Sequence, residues 1–243
     1  MADGAILGWD IGGAHLKAAR VLAGGRIERV LQLPCPLWQG LDHLAQALER
    51  ALERLGPAER HAVTMTGELV DLFTGRAEGV AALMDEFARH APHADISIYA
   101  GPAGFLPPEA VRTHARVIAS ANWLASASWA AARLGDGLLV DLGSTTTDVI
   151  PFAGGRVRMR AYDDADRLVE RELVYTGLTR TPVMVVTDCV PFRGRRYPLM
   201  AEYFATMADV HRLTGALPES ADQYAAAERH AIGHHHDRGA RQA

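Results

Sequence analysis

The sequence predicts an α/β protein of two duplicated domains, in which mixed sheets with antiparallel hairpins are flanked by helices. Three observations carry this reading. Short apolar runs ending at glycine pairs alternate with stretches of helical periodicity. A unit of strand, glycine turn, strand, glycine turn and strand begins near residue 6 and again near residue 138. The composition is that of a folded chain, since 49% of the 243 residues are hydrophobic and 22% charged, which supports a sizeable core. The boundaries expected from these patterns are 1–136 for the first domain, 137–215 for the second and 216–243 for an unfolded tail.

The elements follow in order. Residues 5–11 form an apolar run ending in Gly12-Gly13, residues 16–22 resume after a short turn, and residues 26–33 alternate after Gly24-Gly25. Three strands joined by tight turns make an antiparallel meander. Leu41, Leu44, Leu48, Leu52 and Leu55 recur at helical spacing up to Gly56-Pro57. Residues 61–65 read as a strand, 76–90 as a helix and 96–100 as a further strand. Residues 109–133 carry alanine-rich helical sequence that ends at Gly135. The repeat then begins, with Asp10 matching Asp141, Gly12 matching Gly143, and Gly24-Gly25 matching Gly154-Gly155 after a one-residue slip. Beyond it a helix is expected over 163–174, a strand over 183–187, a basic turn at Arg193-Gly194-Arg195-Arg196 and a helix over 201–213.

Composition also excludes some functions. A net charge of −4 provides no global attraction to nucleic acid or anionic lipid, so any phosphate must be held by local devices. No run reaches the ~18 apolar residues that suggest a membrane span, and residues 1–4 show neither a basic region nor a cleavage site. Cys35 and Cys189 lack CxxC spacing and read as reduced thiols of a cytoplasmic protein.

The two loops carry the chemistry. Glycines in a hairpin turn let backbone N–H groups approach phosphoryl oxygens, and a carboxylate at the start of the turn suits Mg²⁺ held through water. In the first loop these roles fall to Asp10, Gly12 and Gly13, with Lys17 on the next strand as a point charge for a terminal phosphate. In the second, Gly143, Ser144, Thr145 and Thr146 offer N–H and hydroxyl donors, and Asp141 and Asp148 offer carboxylates. Asp10 and Asp141 are the expected metal-holding and catalytic carboxylates. The bland alternative is a pair of tight turns in which Gly, Ser, Thr and Asp are favoured anyway. No GxxxxGK[ST] occurs, and a strand follows the glycines where a Rossmann fingerprint would have a helix.

Asp10-Ile-Gly-Gly-Ala-His-Leu-Lys17 and Asp141-Leu-Gly-Ser-Thr-Thr-Thr-Asp148 resemble the two phosphate loops of the acetate kinase, sugar kinase, Hsp70 and actin superfamily. The form Gly-Ser-Thr-Thr-Thr-Asp is similar to its hydantoinase A and oxoprolinase branch. Four further stretches begin at Met65, Ser120, Tyr175 and Val190: Met-Thr-Gly-Glu-Leu-Val-Asp-Leu-Phe, Ser-Ala-Asn-Trp-Leu, Tyr-Thr-Gly-Leu-Thr-Arg-Thr-Pro and Val-Pro-Phe-Arg-Gly-Arg-Arg. They resemble the members of that branch linked to tetrahydromethanopterin-dependent one-carbon transfer, among them the archaeal condensing enzymes of methanofuran biosynthesis. The resemblance spans roughly residues 5 to 215. It implies an actin-like (ribonuclease H-like) fold and a transferase that joins an aminomethylfuran diphosphate to a tyramine- or tyrosine-derived phenol with release of pyrophosphate. Mg²⁺ is then the expected cofactor, and ATP a possible but less favoured ligand.

Within that reading Glu68 is the candidate base for the phenol, or else a carboxylate favoured by a helix N-terminus. Thr66, His15 and Asn122 are candidate substrate contacts. Trp123 beside Asn122 fits core packing equally. Arg180, with Arg193, Arg195 and Arg196, either clamps an anion or is solvated surface. His230 and His234-His235-His236 belong to the expected tail. The partners expected are small molecules and neither nucleic acid nor membrane, with a homodimer possible. Superfamily members continue past the second loop with more sheet, a long helix and an adenosine-packing glycine turn, so the second domain is expected to be partial. An ATP-dependent small-molecule kinase, a hydantoinase-type amidohydrolase and a non-catalytic actin-like binding protein remain alternatives.

Overall fold

The computed structural model describes residues 4–219, and the chain divides into two units, Met1–Ala130 and Ala131–Ala243. The expected tail lies, from residue 220 onward, outside the described residues.

In the first unit β1 (Ile6–Ile11) buries Leu7, Trp9 and Ile11 and turns Gly8 and Asp10 to the opposite face, the period-two pattern of a strand. β2 (His15–Val21) and β3 (Ile27–Pro34) follow antiparallel. β4 (Arg60–Met65) and β5 (Asp95–Tyr99) add in parallel on the other edge of β1, and the short β6 (Phe105–Leu106) ends the sheet, in the order β3-β2-β1-β4-β5-β6. Parallel neighbours need a crossover, supplied by α1 (Asp42–Leu55) and α2 (Arg76–His90). α1 buries Leu44, Ala47, Leu48, Ala51 and Leu55, and stops at Gly56, whose φ of 74° is left-handed and whose N–H donates to the Leu52 carbonyl.

Trp9 stacks on His61 with ring centroids 5.8 Å apart, and Phe87 meets both rings edge-on. Burial pushes the His61 imidazole below its ordinary range, against a hydrogen bond with the Ala58 carbonyl that raises it. Cys35 is buried, and burial pushes its thiol up to about 12, with Arg50 opposing weakly. These shifts predict a stability plateau. In the unfolded chain His61 takes up a proton as pH falls through 6.5 while the folded ring resists, so stability is lost on acidification. The unfolded thiol ionises from pH 9.0 while the folded one waits until about 12, so stability is also lost as pH rises through that window. Thermal melts check this: His61→Phe is expected to flatten the slope between about pH 5 and 7, and Cys35→Ala the slope above pH 9.

The helical stretch expected over 109–133 is broken into α3 (Val111–Ile118) and α4 (Asn122–Leu134). Ser120 sits between them at a left-handed φ of 53°, and its hydroxyl donates to Glu68 Oε1 at 2.7 Å in a buried contact. Alanine-rich propensity yields here to a long-range hydrogen bond.

The second unit pairs β7 (Gly137–Leu142) with β8 (Thr147–Ala153), and β8 also carries β9 (Arg156–Val157) and β10 (Leu173–Val174). The helix expected over 163–174 is the shorter α5 (Asp164–Glu170). It is capped by the Asp163 side chain and ended by Arg171 at φ 59°, so that Leu173 and Val174 can pair with β8. The strand expected over 183–187 is instead a single turn, α6 (Val183–Val186), because a β-branched run becomes a strand only beside an edge with which to pair. β11 (Cys189–Phe192) and β12 (Arg195–Pro198) form a hairpin whose turn, Arg193 and Gly194, has φ values of 48° and 76°, positive at both positions as a tight hairpin requires. The helix expected over 201–213 is α7 (Met207–Leu213), which begins only where Thr206 and Asp209 form a capping box. Cys35 and Cys189 are free thiols. Among the described residues no helix is long and apolar enough to cross a membrane.

Candidate functional site: two glycine hairpins

The repeat seen in the sequence is a repeat of backbone. Asp10 pairs with Lys17 and Ile11 with Leu16 across β1 and β2, while Asp141 pairs with Asp148 and Leu142 with Thr147 across β7 and β8. The Gly12 N–H donates to the His15 carbonyl at 3.0 Å, and the Gly143 N–H to the Thr146 carbonyl at 2.8 Å. Both turns thus close in the same way.

The first loop is fixed from behind. The Cys35 N–H donates to Ala14 O, the Leu37 N–H to Gly13 O and the Thr66 N–H to Ile11 O, all within 3.0 Å. A Cβ at Gly12 would lie 2.8 Å from the His15 carbonyl oxygen, a backbone atom, so the turn requires glycine there, while one at Gly13 would press on Val70 Cγ1 at 3.0 Å. Asp10, half-buried, receives Lys17 Nζ on Oδ2 at 3.2 Å and Asn122 Nδ2 on Oδ1 at 3.5 Å. Lys17 is the more exposed partner, so its charge is only loosely committed to Asp10. Asn122 opens α4 and also accepts the Trp123 N–H, and Trp123 is buried. Glu68, expected as a base, is buried in the turn Gly67–Leu69 with the Ser120 hydroxyl on one oxygen. Thr66 and His15 are half-buried at the margins of this loop.

The second loop is held by a segment whose role its sequence does not announce, residues 176–181. The Leu178 N–H donates to Gly143 O at 3.0 Å; the Thr179 and Arg180 N–H groups converge on Ser144 O at 3.2 and 2.9 Å. Thr147 Oγ1 reaches the Thr176 carbonyl, and the Gly177 N–H is received by Thr181 Oγ1, both at 2.7 Å. Gly177 packs so closely that a Cβ there would lie 2.6 Å from the Ser144 carbonyl. The expected donors Ser144, Thr145 and Thr146 are half-buried on this support, and Arg180 is exposed.

The two hairpins differ electrostatically. Where Asp10 faces Lys17, Asp141 faces Asp148, a like-charge pair that must be offset. Arg167 supplies the offset: it is almost wholly buried and donates to Asp148 Oδ1 at 2.7 Å and to the Glu172 carbonyl at 3.1 Å. Burial raises the Asp148 carboxyl above its ordinary range, Arg167 pulls it back, and Asp141 and Asp164 push it up again. Asp141 is left exposed.

Arg193, Arg195 and Arg196 belong to the exposed β11–β12 hairpin, where Arg193 lies over the Phe192 ring and Arg195 over that of Tyr197. Among the described residues no group of three or more His, Cys, Asp or Glu side chains is arranged to hold a metal ion. Asp10 and Asp141, one in each unit, each offer hard carboxylate oxygen of the kind Mg²⁺ takes alongside retained water.

The profile of the hydantoinase/oxoprolinase family matches residues 59–232. The chain belongs to that family. Over 215 residues this family member is 33% identical to the (4-{4-[2-(gamma-L-glutamylamino)ethyl]phenoxymethyl}furan-2-yl)methanamine synthase of Methanocaldococcus jannaschii, covering 88% of this chain and 63% of that protein. It is 35% identical over 82 residues to the synthase of the same name from Methanococcus vannielii, covering 34% of this chain and 36% of that one. The chain therefore spans less than two thirds of the length of either relative. Nucleotide-free acetone carboxylase superimposes with a TM-score of 0.52 at 12% identity, over 90% of this chain and 56% of that one. That likeness concerns the fold alone, which is the actin-like one expected from the paired loops.

Proposed function

We propose that this hydantoinase/oxoprolinase family member acts in methanofuran-type cofactor biosynthesis, condensing an aminomethylfuran diphosphate with the phenol of a tyramine-type acceptor. The observation that carries the reading is 33% identity over 215 residues to a synthase named for a product that contains a phenoxymethylfuran ether. The C–O bond to diphosphate breaks, the phenol oxygen bonds to the furfuryl carbon, and the phenol proton leaves to a base. The ring oxygen stabilises the developing furfuryl cation, so the protein's main task is to hold the departing charge.

The two hairpins suit that task. Gly13, Ser144, Thr145 and Thr146 provide N–H and hydroxyl groups, Gly12 and Gly143 close the turns with their own N–H groups and leave the loops open to an anion, and Lys17 provides a cation. Asp10 and Asp141 are the carboxylates that would hold Mg²⁺, which would neutralise charge on the leaving diphosphate. Glu68 takes the phenol proton in this scheme, with Ser120 sharing its carboxylate; Thr66, His15, Asn122 and Arg180 are the proposed substrate contacts.

The test is an ATP-free assay with Mg²⁺, the aminomethylfuran-methyl diphosphate and glutamyl-tyramine, tyramine or tyrosine, reading pyrophosphate and the ether mass. Ether formation that falls about 10- to 1000-fold on Asp10→Ala or Asp141→Ala is the expected result. Absence of pyrophosphate from a chain folded by circular dichroism, or turnover only with ATP, would overturn the assignment.

A further inference from the structure

Buried hydroxyls in this fold are met by protein acceptors. Ser120, Thr179 and Thr181 are buried, and they donate to Glu68 Oε1, to the Ser144 carbonyl and to the Gly177 carbonyl. Thr64 departs from that pattern. Its Oγ1 is sealed from solvent, and no polar group among the described residues lies within hydrogen-bond reach of it. Leaving such a group unmet is destabilising, which points to a partner outside the protein, either water or a ligand.

The sheet register indicates which. Thr64 on β4 lies directly beside Asp10 on β1, and Asp10 lies directly beside Lys17 on β2. The preceding pair, Trp9 and Val63, is buried in the core. By the period-two alternation of strands, Lys17, Asp10 and Thr64 therefore form one row on the opposite face. Neighbouring strands lie about 4.8 Å apart, close enough for Thr64 and Asp10 to share what binds between them. Thr66, two residues on, meets the glycine turn itself: a Cβ on Gly12 would lie 3.7 Å from its Oγ1. The row thus runs from an unmet hydroxyl, past the carboxylate, to the edge of the first loop.

We propose that Thr64 is a further ligand-holding residue of the first hairpin, and that its hydroxyl holds water of the hydrated Mg²⁺ that accompanies a diphosphate beside Asp10. Mg²⁺ bound through one or two carboxylates and phosphate keeps several of its waters. Such a site needs outer acceptors, which suits a row without a cluster of three metal-binding side chains. Water on the cation donates, Thr64 Oγ1 accepts, and the hydroxyl proton remains for a phosphoryl or carboxylate oxygen. The inference rests on the assignment of the loops to a diphosphate made above, and on neither the phenol nor the bond formed.

Thr64→Val removes the hydroxyl and keeps the branched shape, while Thr64→Ser keeps the hydroxyl. Melting by circular dichroism without ligand is compared with calorimetric titration of inorganic pyrophosphate, with Mg²⁺ or with a chelator. Thr64→Val is expected to melt at or above the parent temperature, because the hydroxyl it removes has no protein partner to lose. Its Kd for magnesium pyrophosphate is expected to rise about tenfold, and that of Thr64→Ser to stay within about threefold of the parent. A Thr64→Val protein that melts well below the parent with an unchanged Kd would assign the hydroxyl to a structural water and overturn the proposal. An equal loss of affinity with and without Mg²⁺ would also overturn it, by placing the hydroxyl on the phosphate. Binding that Asp10→Asn abolishes but Thr64→Val leaves unmoved would overturn this proposal alone. A parent chain that binds no magnesium pyrophosphate would overturn it together with the diphosphate assignment.

Discussion

Arg167→Met is expected to destabilise the second unit by about 3–5 kcal/mol, the cost of leaving a buried charge without its partner. Arg167 is 1% exposed, and Asp148, which it contacts at 2.7 Å, is 17% exposed. Without the guanidinium, the Asp148 carboxylate is left with Asp141 across the strand pair and Asp164 nearby, both of which already push its ionisation up. The sign of the pH dependence follows. Asp148 then ionises only at a still higher pH, so the deficit of the variant is greatest at neutral pH and shrinks as acidification neutralises the group. Adding Asp148→Asn to Arg167→Met should recover part of the loss, because the uncompensated charge is gone. Urea unfolding of the three proteins, with hydrogen exchange at β8 and β10 to locate the opening, checks the prediction. An Arg167→Met protein within about 1 kcal/mol of the parent would show that water already solvates this pair.

Gly177→Ala is the second large effect. Its Cβ would lie 2.6 Å from the carbonyl carbon and oxygen of Ser144 and from the carbonyl carbon of Thr145. These are backbone atoms, so no rotamer change relieves the overlap, and the segment of residues 176–181 must withdraw from the loop. Withdrawal breaks the three N–H contacts of Leu178, Thr179 and Arg180 with Gly143 and Ser144. The expected cost is about 1–3 kcal/mol, accompanied by faster amide exchange over residues 143–146. Gly75→Ala is the control. That glycine has extended backbone and nothing within 4 Å of a built Cβ, so a change within about 0.5 kcal/mol is expected. Equal effects of the two substitutions in chemical unfolding would remove the argument that close approach to the loop requires Gly177.

The two predictions bear on the same distinction between what is local and what is not. The meander of β1, β2 and β3 is legible because apolar alternation and glycine turns are local signals, and α1 is legible from leucines that recur on one face up to Gly56. The duplicated hairpin is legible for the same reason: Asp, Gly and the following strand recur at one spacing, and both turns close with the same hydrogen bond. The break at Ser120 is not legible, since its cause is a carboxylate 52 residues earlier. Nor is the single turn of α6, where a β-branched run lacks an edge to join.

The sequence by itself thus determined the α/β class, the family, and the two aspartate-glycine hairpins at Asp10 and Asp141, all of which depend on residue order over short spans. Tertiary structure alone decided what holds the second of them. The hairpin register already sets Lys17 against Asp10 but Asp148 against Asp141; folding buried Arg167 against Asp148 as the counter-charge and placed Gly177 under the second loop. The physical reason is that burial and charge compensation are properties of groups brought together by folding. Periodicity records which face of an element turns inward, and carries no information on which distant side chain it will meet there.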